Sequence, residues 1–302
     1  MAGGADSVKT ILYALGANFS IFVAKGFAAF VTGSGAMLAE AVHSLADCGN
    51  QVLLLLGVKR SKLPPTPEFP LGRGKEVYFW SFLVAVMLFT VGGAYSLYEG
   101  LHKLGHPEQL RSPWIAVGVL VFGLIAEGIS MRTCIKEINK VRDGRSYWQW
   151  FRESRKAELV VIFGEDLAAL LGLAFALVAV AATMVTGNPI YDAIGTLGIG
   201  ALLIVIAVFV AIEVKALLIG QSIDREDRER LRDFIAAHDD VAEVFNVITL
   251  QMGEDELLAV KARMHECGST QSTVEAINRV EAAIRQEFPS IRWCFFEPDD
   301  HN

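Results

Sequence analysis

Six stretches of this chain, near residues 8–31, 35–58, 77–100, 113–135, 157–186 and 190–218, are apolar and long enough to cross a hydrocarbon layer. A layer about 30 Å thick takes roughly 20 helical residues, and within it each segment must satisfy its own backbone N–H and C=O groups, so each stretch is expected to be a helix. With 302 residues and 53% of them hydrophobic, the chain is too oily for two ordinary soluble domains. The expected fold class is an α-helical polytopic membrane protein: six transmembrane helices over residues 1–218, then a separate α+β domain over 219–302.

The short leader lacks the basic start, apolar middle and small-residue cleavage site of a signal peptide, so the first span is expected to be retained. Orientation follows from the basic residues. The 31–35 and 186–190 connections have no Lys or Arg, and the one from His102 to Ser112 has only Lys103 and Arg111. The segment after the second span carries Lys59, Arg60, Lys62, Arg73 and Lys75, and the one after the fourth carries eight basic residues between Arg132 and Lys156. Positive loops stay inside, which puts both termini and the tail in the cytoplasm. Net charge is −7, and no nucleic-acid partner is expected. The four cysteines form no CxxC pair, and no disulfide framework is expected.

Past Gly220 the pattern changes. SIDREDRERLRDFIAAH reads as a helix with Leu231, Phe234 and Ile235 on one face, and VFNVITLQM alternates like a half-buried strand. LLAVKARM reads as a second strand, STQSTVEAINRVEAAIRQEF as a helix with Val274, Ile277, Val280 and Ile284 inward, and IRWCFFEP as a third strand. The expectation is α-β-β-α-β, a three-stranded antiparallel sheet backed by two helices, with the bare sheet face covered by a second copy in a homodimer. His238, His265 and His301 are scattered, and the tail reads as a packing domain.

Inside the apolar stretches the exceptions carry the chemistry. Glu40, His43 and Asp47 stand at i, i+3 and i+7 and share one stripe of the second span, with His43 and Asp47 stacked about 5–6 Å apart. An imidazole beside a carboxylate suits a borderline divalent cation such as Zn²⁺, which takes four ligands. In the fifth span VVIFGEDLAALLG places Glu165 and Asp166 among small residues. One such residue alone could be a helix-bridging hydrogen bonder. The acidic and imidazole groups gathered on these two spans, with no lysine or arginine inside them, leave the charge uncompensated, and a bound cation compensates it. Asn18, Glu127 and Asp192 fit less specifically, as accessory or proton-coupling groups. Asp192 follows Pro189 and reads first as a helix cap; Glu127, near Gly123 and Gly128, is equally a proton exchanger or a packing hydrogen bond.

The six spans, His43-Ser-Leu-Ala-Asp47 in the second and the loop PTPEFPLGRGKEVYFW resemble the cation diffusion facilitator family. VVIFGEDLAALLG, TGNPIYDAIGTLGIGALL and ALLIGQSI are similar to the branch that contains a mitochondrial zinc transporter and its bacterial relatives, a match over about residues 8 to 222. The resemblance implies a homodimeric metal–proton antiporter with a cytoplasmic ferredoxin-like domain, sited in a bacterial inner or plasma membrane and exporting Zn²⁺ or a similar ion. It carries His43 and Asp47 over by motif. Most of the family has a second HxxxD or DxxxD in the fifth span, the resemblance puts Ile162 where that histidine would stand, and Glu165, three residues on, is the substitute expected to reach the ion. The expected metal set is His43, Asp47, Glu165 and Asp166, with no resident cofactor, a transported divalent cation and protons as counter-ion. Where relatives bind metal in the tail, this chain has Lys261, Ile277 and Phe295.

Ligation requires deprotonated groups, so metal binding displaces protons and couples the two fluxes. A carboxylate in place of an imidazole hardens the site and admits Mn²⁺, Fe²⁺ or Co²⁺. A membrane metallohydrolase and a non-transporting metal-binding scaffold or sensor are the rival classes; the first lacks a signalled general base, and the second differs by having no metal flux.

Overall fold

The structure is a computed structural model that describes residues 6–32, 35–106, 113–266 and 268–301, with side chains described for all of these except residues 32, 35–40, 42 and 43. Arg111 and Cys267 lie outside the described residues, as do the side chains of Glu40 and His43. The chain divides into two compact units. The first comprises Met1–Lys59, Val77–Arg152 and Lys156–Lys215, and the second Arg60–Glu76, Glu153–Arg155 and Ala216–Asn302.

The first unit is helical. Helix α1 (Ser7–Thr32) and α2 (Gly35–Ser61) are followed by a third span made of α3 (Glu76–Met87), a π-helical stretch (Leu88–Ala94) and α4 (Tyr95–Gly105). Then come α5 (Pro113–Ile138), the short α6 (Tyr147–Glu153), α7 (Ala157–Thr186) and α8 (Ile190–Ile219). Among the described residues, five helices are long and apolar enough to cross a membrane: Ser7–Val31, Glu76–Gly105, Pro113–Ile138, Ala157–Thr186 and Ile190–Ile219. The sixth expected span is α2, 27 residues long, whose sequence is interrupted by Glu40, His43, Asp47, Asn50 and Gln51. Phe27, Phe30, Trp114, Val178 and Val185 stand exposed on these helices, as side chains do where the solvent is hydrocarbon.

Local sequence explains the sharp turn between α7 and α8. Gly187 takes the left-handed conformation at φ 68° and caps α7 by donating its N–H to Thr183 O at 2.8 Å. Asn188 Oδ1 then accepts from Ile190 N–H at 3.0 Å, and Pro189, which cannot continue a helix, separates the two.

Small residues set the helix contacts. Helix α5 packs against both α1 and α7. The third span meets α8 so closely that a Cβ on Gly93 would lie 2.5 Å from Ile204 Cγ1, and one on Gly100 would lie 2.7 Å from Leu197 Cγ. Without a hydrophobic force between helices in lipid, such close backbone approach supplies the attraction. Gly164, just before Glu165, does the same between α7 and α8, where a Cβ would lie 2.6 Å from Val210 Cγ2.

The second unit has the expected order: α9 (Arg225–Ala236), β1 (Val241–Met252), β2 (Asp255–Met264), α10 (Thr270–Glu287) and β3 (Ile291–Pro298). The sheet order is β1-β2-β3. It is not all antiparallel as expected: β1 and β2 form an antiparallel hairpin, but β2 pairs with β3 in parallel. The reason is the connection. A tight turn at Gly253 (φ 77°) reverses the chain between β1 and β2, whereas the 18-residue α10 carries it back to start β3 in the same direction.

Leu231, Ile235, Leu258, Val260, Ala262, Val280 and Ile284 form its core, with Phe234 packed against it. Val274, expected inward, is exposed, and Ala276 is buried on that helix instead. The loop 60–76 belongs to this unit: a Cβ on Gly74 would overlap the Met252 carbonyl oxygen, so only glycine lets the loop lie against the β1–β2 hairpin.

Candidate metal site in the membrane unit

Three helices of the first unit contribute carboxylates to one neighbourhood. Helix α7 supplies Glu165 and Asp166, both buried; α5 supplies Glu127, also buried; α2 supplies Asp47, which is half-buried. Glu165 lies within electrostatic reach of Asp47, Asp166 and Glu127. Glu127 in turn lies within reach of Asp166 and Asp47. Two unit charges 4 Å apart interact by about 4 kcal/mol at an effective dielectric constant of 20, so four ionised carboxylates in such a place require cations or protons among them.

Specific hydrogen bonds aim these groups. Ser130 of α5, one turn after Glu127, donates its hydroxyl to Asp166 Oδ2 at 2.9 Å. Asn50 and Gln51 of α2, one turn after Asp47, donate their amide N–H groups to the two oxygens of Glu165, at 3.3 and 2.6 Å. The two acids of α7 are thus held from opposite neighbours, Glu165 by α2 and Asp166 by α5. Gly164, beside them, lets the backbone of α7 sit close to α8.

Asp47, Glu165 and Asp166 are therefore brought together, and Glu127 joins them. His43 lies on α2 one turn before Asp47, with its side chain, like that of Glu40, outside the described residues. Ile162 is fully buried one turn before Asp166, an apolar wall at the position where the resemblance looks for a histidine. Asn18 is buried in α1. Asp192, in the first turn of α8, pairs with Lys103 at 3.0 Å.

Four residues of this neighbourhood escaped the sequence reading. Lys25 is buried in α1 and lies within electrostatic reach of Glu127, a positive charge among the acids. A lysine in the interior of an apolar span was a visible signal. Asn50, Gln51 and Ser130 were harder to find, because a neutral polar residue in a membrane helix has many bland uses.

In the second unit, the ligand atoms of Asp299, Asp300 and His301 all lie within 4.8 Å of one another at the surface. Lys261 Nζ is 2.8 Å from Asp299 and holds its carboxyl down to about 2. The acid nearest the sheet already has a cation.

The sequence signature of the cation efflux transmembrane domain matches residues 11–219. The chain is 36% identical to a proton-coupled zinc antiporter, mitochondrial, of Xenopus laevis, over 81% of its own length and 44% of that protein's. It is 31% identical to metal tolerance protein C4 of Arabidopsis thaliana, over 76% of its length and 50% of that protein's. It thus spans about half the length of these relatives. It is also 24% identical to the cation-efflux pump FieF of Escherichia coli, over 89% of its length and 85% of the pump's.

Proposed function

The chain belongs to the cation efflux, or cation diffusion facilitator, family, and on that premise we propose that it is a proton-coupled antiporter that carries a divalent metal ion, Zn²⁺ foremost, across a membrane. This is a family of transporters and not of enzymes. The observation that supports the reading is that the buried Glu165 of α7 lies within electrostatic reach of the half-buried Asp47 of α2 and of its own neighbour Asp166. His43, Asp47, Glu165 and Asp166 are the proposed ligands, with Glu127 and Glu40 as accessory acids.

The residues suit such an ion. Carboxylates and an imidazole bind it only in their deprotonated forms, so loading the site releases protons. When the site faces the opposite side, protons rebind these groups as the ion leaves. That neutralises the empty site, which can then return across a low-dielectric barrier that its bare charge would oppose. Export from the cytoplasm, a cytoplasmic location for both termini and the tail, and a homodimer belong to the same reading, supported by the basic loops and by the family. The membrane is a plasma membrane or its organellar counterpart, since the animal relatives are mitochondrial by name. The oxygen-rich set keeps Mn²⁺, Fe²⁺ and Co²⁺ as alternative cargo.

Purified protein in sealed liposomes, with a metal-sensitive dye inside and an imposed pH gradient, tests the reading. Flux that follows the gradient in the wild type and is lost in Asp47→Ala and Asp166→Ala is the expected result. Binding without flux in the wild type would instead favour a metal-binding scaffold or sensor.

A further inference from the structure

Asn50 Oδ1 and Gln51 Oε1 are buried in the membrane unit with no hydrogen-bond partner among the described residues. In the structure both amides turn their NH₂ groups toward the Glu165 carboxylate and their oxygens away from it. Protein interiors seldom leave a buried acceptor unmet, and two side by side point to an electropositive partner that binds there.

The helix places Asn50 with the acids and imidazole of α2. Glu40, His43, Asp47 and Asn50 stand at i, i+3, i+7 and i+10, and at 100° per residue they share an arc of about 80°. Gln51 stands on the other flank of the stripe, about 20° beyond Glu40, and it is its short bond to Glu165 that ties it to the carboxylate. Asn50 makes the longer of the two bonds, on the shorter side chain.

We propose that Asn50 Oδ1 is a ligand of the transported ion, presented to it by the Glu165 carboxylate that holds the amide from behind, with Gln51 bracing Glu165. The proposal rests on the transport reading above. It adds a donor to His43, Asp47, Glu165 and Asp166. Glu165 keeps lone pairs for the ion, since each oxygen accepts only one of these bonds. An amide oxygen is a hard, neutral donor. With it the site offers more than four donors, most of them oxygen, and accommodates ions that take larger shells than tetrahedral Zn²⁺. Asn50 is therefore a residue that sets which metal is carried.

The test uses the full-length protein in detergent, with Co²⁺ as a visible-absorption probe and competition between Mn²⁺ and Zn²⁺. Asn50→Leu should weaken Mn²⁺ binding about tenfold more than Zn²⁺ binding, and shift the bound Co²⁺ from weak, high-coordinate absorption toward the stronger bands of a tetrahedral site. Gln51→Leu should weaken all three ions together and leave the Mn²⁺ to Zn²⁺ ratio unchanged. Asn50→Asp, which keeps an oxygen in place, should retain Mn²⁺. An unchanged ratio and spectrum in Asn50→Leu, an Asn50→Asp that behaves like Asn50→Leu, or a Gln51→Leu that reproduces the Asn50→Leu ratio each overturns the inference alone. A wild type that binds none of the three ions overturns the transport reading and the inference together.

Discussion

The hydroxyl of Ser130 lies 2.9 Å from Asp166 Oδ2, a bond between α5 and α7 made where both residues are buried. It engages one of the two carboxylate oxygens. Such outer contacts orient a ligand as much as its own backbone does.

Ser130→Ala should therefore retain the fold and lose metal affinity by about tenfold. Isothermal titration of the purified protein with Zn²⁺ measures this. Affinity equal to the wild type would mean that Asp166 is held by packing alone.

Lys25 should act in the opposite sense. Its buried ammonium is within reach of Glu127 and opposes a second cation in the same cluster. Removing that charge in Lys25→Met should tighten Zn²⁺ binding by roughly tenfold and slow turnover, because the ion then leaves a more negative site. Equilibrium binding and liposome flux read the two effects separately; weaker binding would show that Lys25 supports the site instead.

In the second unit, Gly74→Ala should be costly. The added Cβ would overlap the Met252 carbonyl oxygen, which is backbone and cannot swing aside. The expected loss is about 2 kcal/mol, typical of forced overpacking. Faster hydrogen exchange at the β1–β2 hairpin of the full chain, around Gly253, would report it.

The Lys261–Asp299 pair should give the second unit a pH dependence at the acid end. Asp299 has its carboxyl lowered to about 2, first by the hydrogen bond from Lys261, below the value of about 3.9 in an unfolded chain. A depressed carboxyl stabilises the fold above its unfolded value and loses that contribution as pH falls through the folded one. Asp299→Asn should thus exchange faster than wild type near β3 at pH 7, and the difference should fade between about pH 4 and pH 2. Because the pair is surface-exposed, the effect is small and weakens with salt.

The antiparallel sheet expected for the tail and the mixed sheet found there mark the edge of what strand patterns convey. Alternation in VFNVITLQM, LLAVKARM and IRWCFFEP located the three strands. Nothing in that alternation told which way β3 would run; the helix between it and β2 decided that, since a long crossover returns the chain to begin parallel to where it started. Val274 erred for a related reason. Its spacing suited the inner stripe, but the small Ala276 is what α10 buries.

Residue by residue, the sequence alone determined the apolar spans, the tail's order of elements and the presence of Asp47, Glu165 and Asp166 at depth, because burial cost and helical period are properties of local sequence. It could not determine what faces what. The amide grip of Asn50 and Gln51 on Glu165, the hydroxyl of Ser130 on Asp166 and the approach of Lys25 to Glu127 join residues 102 to 115 positions apart in three of these four pairings and 36 apart in the other. Only the packing of α1, α2, α5 and α7 brings such distant groups within reach, because side-chain chemistry acts over a few ångströms of space and not along the chain.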